Sequence, residues 1–357
     1  MPQSYLLISQ SDWDGLNAKI DNIHVAKAHL FPGADAGLKI TAAIASLPAG
    51  VGGIVDATGF PNPQNLTGFT VPRGVEVLLP PIFFTMFSTG PSIVVNEGGR
   101  LIGMGTNSPG ATTIKPASGF NKDVIKCISS GGESSWWHHG EVRNIRILAN
   151  KQQNALGHGL SVYGLAETSL IQRMSISDAA QAGLYIKGSQ SGTGSIENVT
   201  VNTNGTYGVQ LDEFRSAITL KCVGGDQNPI TFGITNPSLG GGGILLIDPK
   251  SEGSIAVDPL PIQISGGSAK VSLTIMGGNF TTPNSNKTIL RIAPDTGFDP
   301  SVQIIGLVSG NSFTTLIDDL KNAQTVSTQA STYHSLFTYC AGKYARFDET
   351  GFHTFPS

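Results

Sequence analysis

The sequence predicts a right-handed parallel β-helix, and three observations carry that prediction. Two families of short segments recur along the chain with a common spacing near 25 residues. Within each segment the apolar residues alternate with a period of two, not 3.6. Glycine is abundant and charge is scarce. The 357 residues include 45 glycines, close to one in eight against a usual share of about 7%. Charged residues make up 13%, roughly half the usual ~25%.

The elements follow in order. Asp35 to Leu47 puts Ile40, Ile44 and Leu47 on one helical face, and Pro48 with Gly50 stops the helix. GGIVDATGF, from Gly52, then reads as a strand entering a turn. The first repeated family follows: VRNIRIL from 142, LIQRMSI from 170, SIENVTV from 195, AITLKCV from 217, VSLTIMG from 271 and VQIIGLV from 302. Its start-to-start gaps are 28, 25, 22, 54 and 31, and 54 is two periods. The second family interleaves with it: GLSVYG from Gly159, GLYIKG from Gly183, GVQLDE from Gly208 and GILLID from Gly243. Alternating strand types at one period describe a stacked, quasi-one-dimensional fold. Successive turns would lie about 4.8 Å apart, with turn residues such as Asn144 and Asn198 stacking on one another. The expected division is an N-terminal segment and capping helix over 1–50, a β-helix over 51–310 and a capping tail over 311–357. In the tail, Phe313 to Leu320 reads as a short helix, followed by aromatic residues at Tyr333, Phe337, Tyr339, Tyr344, Phe347, Phe352 and Phe355.

Composition excludes several classes. High net charge with few Val, Ile and Leu would mark a disordered chain, and this one has neither. The 22 basic and 25 acidic residues give a net charge of −3, so no basic field exists to grip nucleic acid. No stretch approaches the ~18 apolar residues that span a bilayer. The opening residues MPQSYLLISQSDWDGL lack a basic run followed by an apolar one, the mark of a signal peptide. Cys127, Cys222 and Cys340 form neither a disulfide framework nor a metal knuckle.

The run FPGADAGLKITAAIASLPAGVGGIVDATG, from Phe31, resembles the opening of pectate-lyase-superfamily proteins. There a short acidic loop leads to a capping helix of the type AIxxAIxxLP and then to GGxVxxxxG as the first coil. The GLxIxx and IxNVxV strands extend the resemblance over roughly residues 30–310. It implies a β-helix and a protein acting on polysaccharide: a lyase, a glycoside hydrolase, or a phage tailspike or tail-fibre depolymerase. It also implies an extracellular or virion-associated location. Gly157-His158-Gly159 is similar to the GHG element of polygalacturonases. The accompanying NTD and RxK elements are missing, and the sole Asp pair, Asp318-Asp319, lies downstream rather than upstream. No motif indicates calcium or another metal.

Alternation in the second family sends Leu160, Val162, Leu184, Ile186, Val209 and Leu211 inward. One outward row is then Ser161, Tyr185 and Gln210, and the next is Tyr163, Lys187 and Asp212. That second row supports β-elimination from a uronate, with Lys187 neutralising the sugar carboxylate and Tyr163 or His158 moving protons. Alternatively, Asp212 with Glu213 serves as an acid/base pair for glycoside hydrolysis. The competing reading is an ordinary surface ladder with a Lys–Asp pair worth under about 1 kcal/mol. In the first family Asn144, Arg173, Asn198 and Thr219 are expected outward, beside Arg146, Ser175, Thr200 and Lys221. Arg146, Arg173 and Lys221 would make a basic strip, or simply a solvated face. Trp136, Trp137, His138, His139 and Glu141 form the densest aromatic and titratable cluster, offering indole platforms for sugar rings or a Trp buried under a loop. The sequence therefore leads to a protein that binds and cleaves a polysaccharide in a groove along the strands. The candidate catalytic residues are His158, Tyr163, Lys187, Asp212 and Glu213. The sugar contacts are Trp136, Trp137, Arg146, Arg173, Tyr185 and Gln210. The alternative is a non-catalytic glycan-binding adhesin or phage tail component, either form being monomeric or trimeric.

Overall fold

The computed structural model describes residues 24–355 apart from 108, 189–193, 215–216, 238–241, 254–259, 282–287, 307, 310–314, 328–335, 341–342 and 349–350. The chain winds as a right-handed parallel β-helix of about ten turns. Each turn delivers strands to three parallel sheets. The first sheet runs from Val25–Lys27 through Gly53–Asp56 and Val75–Leu78 to Ser301–Ile305. The second runs from Gln64–Leu66 through Phe83–Met86 to Val308–Ser309. The third runs from Thr70–Val71 through Leu160–Tyr163 to Thr315–Asp319.

Register explains the apolar half of the pattern. In the first sheet Val142, Ile171, Ile196 and Leu220 stack directly on one another, and in the third Leu160, Leu184, Val209 and Phe232 do the same. All eight are buried in one continuous core. Burying an aliphatic side chain of this size contributes about 1.5–3 kcal/mol, so the stack is held chiefly by these inward rows.

The first two sheets share strands in the central turns. Leu170–Ser177, Ser195–Asn202 and Ile218–Asp226 run through both, bending at Arg173, Asn198 and Cys222 with φ of 50°, 54° and 52°. Asn144, at φ 59°, makes the same bend between Glu141–Arg143 and Ile145–Leu148. The left-handed residue shifts the alternation by one, so the inward set reads Ile171, Met174, Ile176 rather than every second residue. This corrects the outward set expected for the first family. Arg173 stands at the corner, Arg146 lies on the second sheet in register with Ser175, and Lys221 lies on the first in register with Glu197. Thr219 pairs with Ser195, not with Asn198. The basic strip does not form.

The asparagine stack also lies elsewhere. Asn144 and Asn198 are separated by Arg173 in the corner column. The buried stack comprises Asn204 and Asn228, at the turn between the second and third sheets. Asn228 Oδ1 accepts from the Asn204 backbone N–H at 3.0 Å and from Asn204 Nδ2 at 2.9 Å. Asn204 Oδ1 accepts from Ala179 N–H, and Asn228 Nδ2 donates to the Val201 carbonyl.

Gly243 to Asp248 belongs to the first sheet, not the third: Gly242–Ile247 lies between Ile218–Asp226 and Val271–Met276. It fills the double gap in the first family. The next two third-sheet strands after Tyr207–Asp212 are Ile230–Thr235 and Leu260–Ser265.

The helix Ala36–Ser46 closes the N-terminal end and buries Ala36, Ile40 and Ala43. Asp35 caps it and ties it to the first coil. Its Oδ1 accepts from the N–H groups of Gly37, Leu38 and Thr67, and its Oδ2 from the Thr67 hydroxyl. Leu47 is extended ahead of Pro48, which ends the helix. At the other end, Ser301–Ile305 pairs antiparallel with Leu336–Cys340, which continues to Lys343–Asp348 and Gly351–Phe355. The helix expected from Phe313 to Leu320 is instead the strand Thr315–Asp319, with Leu316 and Ile317 buried. A short apolar run carries no period able to separate the two states. Phe313 and Tyr333 lie outside the described residues, as do residues 1–16. Tyr339, fully buried, donates its hydroxyl to Asp319 Oδ2.

Candidate functional site

The outward face of the third sheet brings most of the sequence-predicted residues together. Pairing puts Ser161, Tyr185, Gln210 and Gly233 in one row and Tyr163, Lys187, Asp212 and Thr235 in the next. These strands contain no left-handed corner, so simple alternation holds along them.

His158 enters this face from the turn before Leu160–Tyr163. Glycine is required on both sides of it. A Cβ at Gly157 would stand 2.2 Å from the Lys122 carbonyl, and one at Gly159 would stand 2.3 Å from Ile176 Cγ2. The His158 backbone N–H donates to Asp123 Oδ1 at 2.9 Å, while Asp123 Oδ2 accepts from the Ser161 hydroxyl at 2.6 Å. The imidazole lies flat on the Tyr185 ring, with centroids 4.2 Å apart and planes 4° from parallel. Its Nδ1 accepts from the Ala182 N–H at 3.2 Å, which assigns the proton of the neutral ring to Nε2. Burial pulls the His158 pKa below its usual value, against the opposing pull of Asp123 and Asp212. The ring is therefore neutral at neutral pH.

Tyr185 donates its hydroxyl to Asp212 Oδ2 at 2.8 Å. Asp212 Oδ1 accepts from the Thr235 hydroxyl at 2.8 Å and from Asn236 Nδ2 at 3.2 Å. Asp212 thus ties three successive coils together, with both oxygens engaged. Lys187 pairs with Glu213 at 3.4 Å. Tyr163 meets Tyr185 edge to face at 6.1 Å, and Lys126 Nζ sits 4.6 Å from the Tyr163 ring centre while pairing with Glu133 at 2.7 Å. Burial, followed by nearby carboxylates, drives the phenol pKa values of Tyr163 and Tyr185 far above the usual range. Neither forms a phenolate that could take up a proton at ordinary pH.

A cleft of about 290 Å³ opens on this face, lined by His158, Gln181, Tyr185, Thr206, Tyr207 and Gln210. Tyr207 was not among the residues expected from sequence. Its ring lies over Gly233, where a Cβ would stand 2.4 Å from Tyr207 Cδ1. The His158–Tyr185 stack and Tyr207, which packs against the buried cluster of Tyr163, Ala182 and Tyr185, thus line the cleft, with Gln210 in register between Tyr185 and Gly233. The signal was the glycine at position 233, where the row calls for an outward side chain. A larger cleft, about 470 Å³, lies at the N-terminal end between Val25, Leu30, Phe31 and Leu47, and contains none of the residues expected from sequence.

The tryptophan pair divides. Trp137 is 0% exposed and donates Nε1–H to the Val95 carbonyl at 2.9 Å, so it is a core residue and offers no platform to a sugar. Adjacent residues of an extended chain face opposite ways, and Trp136 is accordingly 44% exposed. It meets His138 edge to face at 5.5 Å, and His138 pairs with Glu167 at 2.9 Å. Trp136 borders the third sheet, since the Trp137 N–H donates to the carbonyl of Gly164 immediately after Tyr163. Arg146 and Arg173 belong to the second sheet and its corner and do not join this site.

Among the described residues no group of three His, Cys, Asp or Glu side chains is placed to hold a metal ion. No described helix is long and apolar enough to cross a membrane. No protein-family model and no curated protein matches the chain. Among solved structures the chain is similar to ORF18 of Geobacillus virus E2, at 12% identity and a TM-score of 0.45, over 99% of this chain and 80% of that one.

Proposed function

We propose that the protein binds a polysaccharide along the outward face of its third sheet, with a sugar ring held between the His158–Tyr185 stack and Tyr207. The observation that carries this reading is the cleft itself. His158, Tyr185 and Tyr207 line it with aromatic rings, and the amides of Gln181 and Gln210 with the Thr206 hydroxyl supply donors and acceptors for sugar hydroxyls. Tyr185 and Gly233 lie two rungs apart, about 10 Å, a span that admits a pyranose ring. The outward row continues past the cleft through Gly233 and Gln263, which gives a chain of sugars a face to follow along the stack.

The reading is binding without cleavage. Asp212, expected as an acid or base, spends both oxygens on Tyr185, Thr235 and Asn236, and acts as a positioning residue that orients the Tyr185 ring. Glu213 pairs with Lys187, and the phenols of Tyr163 and Tyr185 are too weakly acidic to serve as bases. The test is a panel of polysaccharides assayed for binding by calorimetry and for new reducing ends or unsaturated uronate. Tyr207→Ala is expected to weaken binding about tenfold, since losing one aromatic wall removes about 1–1.5 kcal/mol. Binding untouched by Tyr207→Ala would displace the site from this cleft. Product release abolished by Asp212→Asn would restore the catalytic reading.

A further inference from the structure

We infer that the ligand of this groove is a polysaccharide without acidic groups, not the acidic polymer that a lysine on the outward row suggests. The inference rests on the binding reading above and adds the chemical class.

A uronate or sulfate needs a cation free to meet it. The cationic side chains described on the outward rows of this sheet are Lys126, Lys187 and Arg291. Each already faces a carboxylate: Lys126 with Glu133 at 2.7 Å, Lys187 with Glu213 at 3.4 Å, and Arg291 with Asp318 at 3.2 Å. The imidazole of His158 is neutral, with Nδ1 occupied by the Ala182 N–H. Around the cleft, Asp123 and Asp212 accept hydrogen bonds from uncharged donors, and the charge of exposed Asp295 also reaches Tyr207. The six side chains lining the cleft are thus uncharged at neutral pH, and each cation on the outward rows is matched by a carboxylate. Bringing an acidic sugar here would break an existing ion pair or set its charge beside Asp123, Asp212 and Asp295 without a cation, and both oppose binding. Neutral hydroxyls meeting aromatic faces and amides incur neither cost.

The probes are uncharged glucans, mannans and galactans, each alongside its carboxymethylated derivative, together with polygalacturonate and alginate as natural acidic polymers. The full chain is assayed by calorimetry at about 0.05 and 0.5 M salt, concentrations that bracket weak and strong screening. At least one uncharged polymer is expected to bind. Its affinity should change less than about twofold with salt and fall at least about tenfold on carboxymethylation. An acidic polymer that binds while its uncharged counterpart does not, with affinity lost at high salt and in Lys187→Gln, would overturn the class. If Tyr207→Ala also weakened that interaction, the groove would stand and the class alone would fail. Binding of no polymer would overturn both.

Discussion

Arg173 adopts φ 50° at the corner between the first two sheets, in the column where Asn144 and Asn198 sit above and below it. Asparagine visits the left-handed region readily because its short amide bonds locally, whereas a long side chain incurs a penalty of roughly 1 kcal/mol there. Arg173 is exposed and lies away from the cleft. Arg173→Asn is therefore expected to raise stability by about 0.5–1 kcal/mol in urea unfolding, with binding unchanged. An unchanged or lower midpoint would show that the guanidinium makes a compensating contribution. His158 gives a pH-dependent prediction. Its folded pKa lies below the unfolded value near 6.5, with burial the largest cause. Between the two values the unfolded chain holds more protons, so stability rises with pH. The contribution is complete above about pH 6.5 and is lost as pH falls through the folded value. Melting temperatures of the protein and of His158→Gln should therefore converge as pH is lowered below about 6.5, and a gap that widened instead would reverse the assignment.

At the scale of elements, the asparagine turn is the strongest polar device in the stack. Asn228 accepts two hydrogen bonds from the buried Asn204, and both donors lose their partner in Asn228→Ala. A buried unpaired donor costs about 1–3 kcal/mol, so the variant is expected to lose about 3 kcal/mol. Asn198→Ala, exposed at the corner, should lose about 1 kcal/mol. Equal losses in urea unfolding would contradict the distinction. These two positions also show where the sequence was legible. Strand type, period and the third-sheet register were readable because Leu160–Tyr163, Ala182–Lys187 and Tyr207–Asp212 contain no left-handed residue to shift their phase. In the first family the left-handed corner shifts the phase; asparagine marks it at Asn144 and Asn198, but Arg173 and Cys222 hold the same corner with no residue that signals a bend. Gly243 to Asp248 shares the Gly-apolar spacing of the other sheet, so local pattern alone placed it wrongly. The cleft required more than register. His158 comes from a turn, and the Tyr207 ring crosses to Gly233 on the next coil, so side-chain direction and not order along the chain brings them together.

At the scale of the molecule, each coil touches only its neighbours, and stability is accordingly a sum of coil and interface contributions rather than one indivisible quantity. The ends then matter differently from the middle. Asp35 is the point where the capping helix is tied to the first coil, through two N–H groups of the helix and the N–H and hydroxyl of Thr67. Its removal leaves those donors unpaired at the end of the stack, a loss of about 2 kcal/mol, the upper range for a helix cap. In a globular core that loss would be shared throughout. In a one-dimensional stack it lowers the free energy of local opening only where the opening includes the mutated end. Asp35→Ala is therefore expected to speed amide exchange about thirtyfold in Gly53–Asp56, Gln64–Leu66 and Val75–Leu78, the conversion of 2 kcal/mol into a rate ratio. Exchange in Ser195–Asn202, Tyr207–Asp212 and Ile230–Thr235 should stay as it was. Uniform acceleration along the chain, read by hydrogen-exchange mass spectrometry, would make the whole stack a single cooperative unit. The localised pattern would leave the cleft, built from the fourth to sixth strands of the third sheet, undisturbed by damage to the helix.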